Sequence, residues 1–97
     1  MDQFTENDFK ILKAILDRGD NKKGLIISNG TTIDEIVKKT NLSDRKVRDT
    51  LNRFKEIGCV AEGIKKVRTK TYVLTKEGFI LLKDIRTNIF GEAVINE

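Results

Sequence analysis

Between residues 31 and 58 two amphipathic segments, each with its own start signal, stand only three residues apart, and that spacing restricts what the chain can fold into. Thr32, with Glu35 three residues on, is a capping box that predicts a helix start, and Ile33, Ile36 and Val37 supply its buried face. Lys38 and Lys39 suit the carboxyl end of that helix, where the dipole favours cations. Ser43 is the N-cap of the next helix, in which Val47, Leu51 and Phe54 recur at i, i+4 and i+7, and Gly58 supplies a stop with Ile57 still on the inner face. The intervening Thr40-Asn41-Leu42 forms a turn that inserts one apolar side chain between the two helices.

Helix, short turn and capped helix together read as a helix-turn-helix, whose second helix enters the major groove of DNA. In that second helix Arg45, Asp49 and Asn52 fall opposite the apolar stripe, with Arg48 and Arg53 beside them, because four residues advance a helix only ~40° past one turn. A charged outer face is often no more than a solvated one, and the distribution of charge adds direction. From Lys38 to Lys76 twelve Lys and Arg stand against four acids, a net +8, which leaves −4 for the rest of a chain whose formal charge is +4. One basic segment in an otherwise acidic chain is the footprint of a phosphate-backbone binder.

Other classes of function find less support. Ninety-seven residues fit a single domain spanning 1–97, and 38% hydrophobic with 35% charged residues suits one core with a well-solvated exterior. A lone Cys59 and no histidine exclude a disulfide framework and a Cys/His zinc site, and no cofactor is expected. Cys59, where the second helix gives way to a strand, reads as a small buried residue, with a redox switch as the minor alternative. No run approaches ~18 apolar residues and the start is acidic, so a cytoplasmic, membrane-free protein is expected. Two serines, no glycine-rich phosphate loop and no carboxylate pair in an apolar setting argue against an enzyme.

Elements flank the central pair on both sides. Thr5 with Asp8 caps a first helix over 5–18, with Phe4 and Phe9 as a hydrophobic staple, Ile11, Leu12, Ile15 and Leu16 as its apolar face and Gly19 as its stop. After a polar loop, the apolar run 25–28 is either a small strand or a loose connection, and Asn29-Gly30 favours a tight turn with positive φ. Residues 59–64 and 71–74 have strand composition, and with the basic run 65–70 between them they predict a hairpin with a basic tip. Thr75 caps a last helix over 76–90, with Phe79, Leu82, Ile85, Ile89 and Phe90 on one broad face.

Two runs carry a family resemblance: Ile36…Val47…Leu51…Phe54…Gly58-Cys59-Val60, and Tyr72-Val73-Leu74-Thr75-Lys76-Glu77-Gly78, which is similar to a Y-x-L-T-x-x-G pattern. Over about 31–82 the chain resembles the winged helix-turn-helix proteins of the MarR, ArsR and PadR classes. The resemblance implies a mainly α fold with a small antiparallel hairpin, ordered α-(β)-α-α-β-β-α, and a sequence-specific double-stranded DNA-binding transcription regulator or repressor. The chain departs from ArsR proteins in lacking a metal-ligand pair, and from full MarR proteins in lacking long extra helices. In size it also resembles the small TubR-type DNA-binding adaptors of plasmid and phage partition systems, which act with a second protein. A winged-helix protein-interaction module is a further alternative, and it would carry a neutral or apolar third helix.

On that reading Arg45, Arg48, Asp49 and Asn52 lie nearest the base edges, since Arg can hold guanine and Asn adenine bidentately. Asp49 either orients Arg45, accepts from cytosine, or forms a plain surface ion pair. Thr32, Ser43, Lys46 and Arg53 would meet the DNA backbone, as would Lys65, Lys66, Arg68 and Lys70 of the wing at 64–71, with Arg68 also suited to a narrow minor groove. Tyr72 is expected half-buried on the hairpin with its hydroxyl turned to a phosphate. Apolar surface beyond what a small domain covers, at Ile11, Phe79, Leu82, Ile85, Ile89 and Phe90, points to a homodimer joined through the terminal helices.

Overall fold

The computed structural model describes the backbone of residues 4–90 and the side chains of residues 4–87. Four helices and a three-stranded sheet follow the order α1 (Glu6–Ile15), β1 (Thr31–Thr32), α2 (Ile33–Thr40), α3 (Asp44–Glu56), β2 (Val60–Glu62), β3 (Thr71–Leu74) and α4 (Lys76–Phe90). The sheet is antiparallel with strand order β1-β3-β2; Thr31 pairs with Tyr72 and Glu62 with Tyr72 from the other side. The hairpin thus gains a third strand, located at Thr31–Thr32 rather than in the run 25–28, where Ile27–Asn29 forms a 3-10 turn.

Each expected start signal operates. The Thr5 and Thr32 hydroxyls accept from the amides of Asp8 and Glu35, whose carboxylates accept from the Thr5 and Thr32 amides in return. Ser43 Oγ accepts from the Lys46 amide at 3.0 Å. In the turn between α2 and α3, Asn41 takes the left-handed conformation that asparagine tolerates (φ 61°) and returns its amide to the Val37 carbonyl. At the end of α3 the Gly58 amide reaches the Lys55 carbonyl and the Cys59 amide the Phe54 carbonyl, the paired bonds of a Schellman motif. Ile57, at the cap of that helix, is exposed rather than on the inner face.

Two boundaries differ from the sequence expectation. α1 ends at Ile15, not near Arg18, and Leu16 is already extended. The carbonyls that another turn would need are taken from outside: Thr31 Oγ1 donates to the Ile15 carbonyl, and Lys39 Nζ donates to those of Ala14 and Leu16. Gly30 is extended (φ −81°), and positive φ in this loop falls at Gly24, whose backbone passes so close to the Ile15 carbonyl that a Cβ would sit 2.1 Å from it.

Val47, Leu51 and Phe54 are fully buried, together with Ile11, Leu12, Ile15 and Ile36 of the first two helices and Ile85 of α4. This corrects the dimer surface expected from sequence: Ile11, Leu82 and Ile85 are core residues of a single copy, and only Phe79 of the described candidates is exposed. The side chains of Ile89 and Phe90 lie outside the described residues. Cys59 is buried as expected, and burial pushes its thiol pKa up, away from a reactive thiolate.

Candidate nucleic-acid interface

With its apolar side fully committed to the core, α3 turns Asp44, Arg45, Lys46, Arg48, Asp49, Asn52 and Lys55 to solvent. Two rows form on this surface at i, i+4 spacing: Arg45 with Asp49, and Arg48 with Asn52, continued by Lys55. The Arg45 side chain is 92% exposed, and its Nε lies 3.9 Å from Asp49, a loose contact that leaves the guanidinium's other donors open. Arg48 is held more firmly, donating from Nη2 to Asp44 Oδ1 at 2.7 Å. The four residues expected at base edges are therefore brought onto one exposed surface.

The wing stands beside that surface, anchored by a carboxylate. Glu62 of β2 accepts from Lys55 of α3 at 2.6 Å and lies 3.7 Å from Lys70 on the returning arm. Lys55 first, with Lys70 adding to it, holds the Glu62 carboxyl below its usual range. Beyond Glu62 the chain turns at a tip where Lys66 and Thr69 exchange amide hydrogen bonds of 2.9 Å each, placing Val67 and Arg68 at the apex. Lys65, Lys66, Arg68 and Lys70 are all exposed. The adjacent Lys23 ammonium pushes the Lys66 pKa down.

Three residues expected to meet DNA are engaged by other parts of the fold, Arg53 while still about half exposed. Arg53 donates to Asp8 at 2.6 Å, where Asp8 is buried, and its guanidinium lies 5.0 Å from the centre of the Phe54 ring. The Thr32 hydroxyl is engaged with Glu35. Tyr72 is 3% exposed, packed in the core under the sheet rather than half-buried.

Sequence reasoning missed the residues that organise this surface. Asp44 was readable, because Asp44 and Arg48 have helical i, i+4 spacing. Glu62 was not, because its meeting with Lys55 follows from how β2 folds back along α3. Among the described residues, no group of three or more His, Cys, Asp or Glu is placed to hold a metal, and no helix is long and apolar enough to cross a membrane. An open groove of about 620 Å3, lined by α1 and the end of α2, includes no residue of α3 or the wing.

No protein-family model and no curated protein sequence matches the chain. Solved structures do. BpsR of Bordetella bronchiseptica, whose DNA binding is regulated by 6-hydroxynicotinic acid, matches with a TM-score of 0.67 and 22% identity over 97% of this chain and 59% of that one. MepR, a transcription regulator of the Staphylococcus aureus multidrug efflux pump MepA, matches with a TM-score of 0.70 and 20% identity over 93% and 60%. A MarR family protein from Bacillus stearothermophilus matches with a TM-score of 0.64 and 18% identity over 90% and 54%. The chain therefore spans little more than half to three fifths of the length of these proteins. At such identities the likeness shows the fold: a MarR-like winged helix, as the sequence runs implied.

Proposed function

We propose that the chain is a transcription regulator that binds double-stranded DNA in a sequence-specific manner as a homodimer. The observation that carries this reading is the division of α3: Val47, Leu51 and Phe54 have no exposed surface, while Arg45, Arg48, Asp49 and Asn52 have no part in the core. A helix so divided, beside a basic hairpin, is presented to a polyanion with hydrogen-bonding edges. Fold neighbours support it, MepR being a transcription regulator and BpsR a protein whose DNA binding is regulated.

In this reading α3 enters the major groove. Arg45 and Arg48 hold guanine O6 and N7, Asn52 holds adenine N6 and N7, and Asp49 orients Arg45 or accepts from cytosine. Ser43 and Lys46, at the start of the helix, meet phosphates and set the register. Lys65, Lys66, Arg68 and Lys70 follow the backbone and minor groove. Thr32, Arg53 and Tyr72 serve the fold instead.

Selection of bound sequences from a random duplex pool, followed by footprinting, tests the reading. A palindrome with half-sites one helical turn (~34 Å) apart supports a dimeric regulator. An array of direct repeats would instead favour a partition adaptor, and failure to enrich any duplex at low salt would refute both. Within a successful selection, Arg45→Ala should weaken binding to the selected site far more than to random DNA. Equal loss on both would remove Arg45 from the base-reading set.

A further inference from the structure

The apex of the wing carries a residue that the fold itself does not use. Val67 is 96% exposed, so it returns almost no packing to its own chain. Its φ is +57°, at the first central position of a two-residue turn closed by Lys66 and Thr69, where glycine, asparagine or aspartate is the usual occupant. A β-branched side chain at positive φ is a conformational outlier, and such strain persists where the surroundings impose it and collects at functional positions. In the isolated chain a valine here costs conformational energy and exposes apolar surface, with no compensation in its own fold.

The neighbours of Val67 indicate what receives it. Lys65, Lys66, Arg68 and Lys70 lie within three residues on either side, and among the described residues Lys65 and Arg68 have no ion pair or hydrogen bond. The other exposed apolar side chain of the wing, Ile64 at 61%, lies three residues back, where its amide donates to the Ile27 carbonyl, while the residues directly beside Val67 are Lys66 and Arg68. A branched apolar side chain flanked by cations at an apex fits a polyanion with an apolar slot, and the minor groove of a duplex is such a slot: phosphates on both rims, sugars on its walls and stacked base edges at its floor. Side chains of this kind enter between base steps, unstack them in part and bend the duplex towards the major groove.

We infer that Val67 is an apolar wedge: the wing tip enters the minor groove, Lys66 and Arg68 hold the two phosphate rims, and Val67 opens a base step and bends the DNA. The step so opened would be a pyrimidine–purine step, since these unstack at least cost, and this adds sequence preference where no hydrogen bond reads a base. The inference rests on the DNA-binding reading above and assigns a separate role to one residue of the wing.

Val67→Gly and Val67→Ala test it on the duplex selected by the unaltered protein. Glycine relieves the turn and removes the wedge, while alanine removes most of the wedge and keeps a side chain in the turn. Both variants should melt no lower than the unaltered protein. Both should lose the bend, read by energy transfer between dyes at the duplex ends, and the rise in fluorescence of 2-aminopurine placed at the opened step. Affinity for the selected duplex should fall about fivefold to tenfold, while the slope of affinity against salt stays unchanged because no charge is removed. Unaltered bend and 2-aminopurine signal in both variants would overturn the inference, as would binding by the unaltered protein with neither signal. Failure of the unaltered protein to enrich any duplex would refute the DNA-binding reading itself, and the wedge with it.

Discussion

Asp8 shows how one side chain can hold two parts of this fold. One carboxylate oxygen accepts from the Thr5 amide and completes the cap of α1, and the other accepts from Arg53 of α3, forty-five residues away. Asp8 is 1% exposed and Arg53 about half exposed, so the two are not equivalent in mutation. Removing Arg53 leaves a buried carboxylate without its cation, and Arg53→Met should cost about 3 kcal/mol in urea unfolding. Asp8→Asn keeps part of the cap and frees an arginine that water can reach, so about 1 kcal/mol is expected. A reversed order would mean that Arg53 serves a surface other than its own core. Glu62 works in the opposite sense, since it holds Lys55 and Lys70, two cations that the proposed function would offer to phosphate. Glu62→Gln should tighten binding to random duplex and steepen its salt dependence by about one to two phosphate equivalents, measured by fluorescence anisotropy over a salt series. An unchanged slope would show that Lys55 and Lys70 do not approach DNA.

At the scale of elements, α3 was legible in the sequence while the ends of its neighbours were not. Its buried and exposed faces follow from helical periodicity, which needs nothing outside the helix. α1 stops early because Thr31 and Lys39, sixteen to twenty-five residues downstream, take its last carbonyls, and no local signal records that. Tyr72 escaped for a related reason: a hairpin alone leaves one face half open, but β1 adds a third strand beside Tyr72 and the ring joins the core. Gly78 illustrates how strongly such packing overrides local preference. Alanine at a helical glycine ordinarily stabilises by about 1 kcal/mol. Here a Cβ would lie 1.9 Å from the Cys59 carbonyl oxygen, so Gly78→Ala should destabilise by several kcal/mol in urea unfolding. The start of α2 gives a pH test. Burial presses the Glu35 carboxyl upward, but the Thr32 amide and the Lys23 ammonium outweigh it and hold its pKa below the ordinary glutamate range. A carboxyl depressed in the folded state contributes stability above its unfolded pKa and loses it as pH falls through the folded one. Glu35→Gln should therefore lower stability at neutral pH and narrow its gap to the unaltered protein below the ordinary glutamate range, as followed by melting across the acid range.

For the molecule as a whole, the proposed dimer has to find its interface in what a small core leaves exposed. The apolar surplus read from the sequence was largely needed at home, because a small fold has few residues with which to fill a core, and Ile11, Leu82 and Ile85 went into it. Among the described residues, the large apolar side chains left exposed on α4 are Phe79 at 39% and Ile80 at 51%, with Lys83 Nζ 5.4 Å from the Phe79 ring centre. A dimer built on α4 would bury these two residues against their symmetry copies and leave α3 and the wing of each copy free for DNA. Replacing both with glutamate, Phe79→Glu with Ile80→Glu, places like charges across the two-fold axis while leaving the core of each copy intact. Sedimentation at micromolar concentration should show a dimer for the unaltered protein and a monomer for the double variant. On DNA the variant should keep its affinity for a single half-site and lose the additional affinity for a full palindrome, because linking two half-site contacts is what multiplies affinity. A monomeric unaltered protein would remove the dimer from the proposal. A double variant that still sediments as a dimer would move the interface off the first turns of α4.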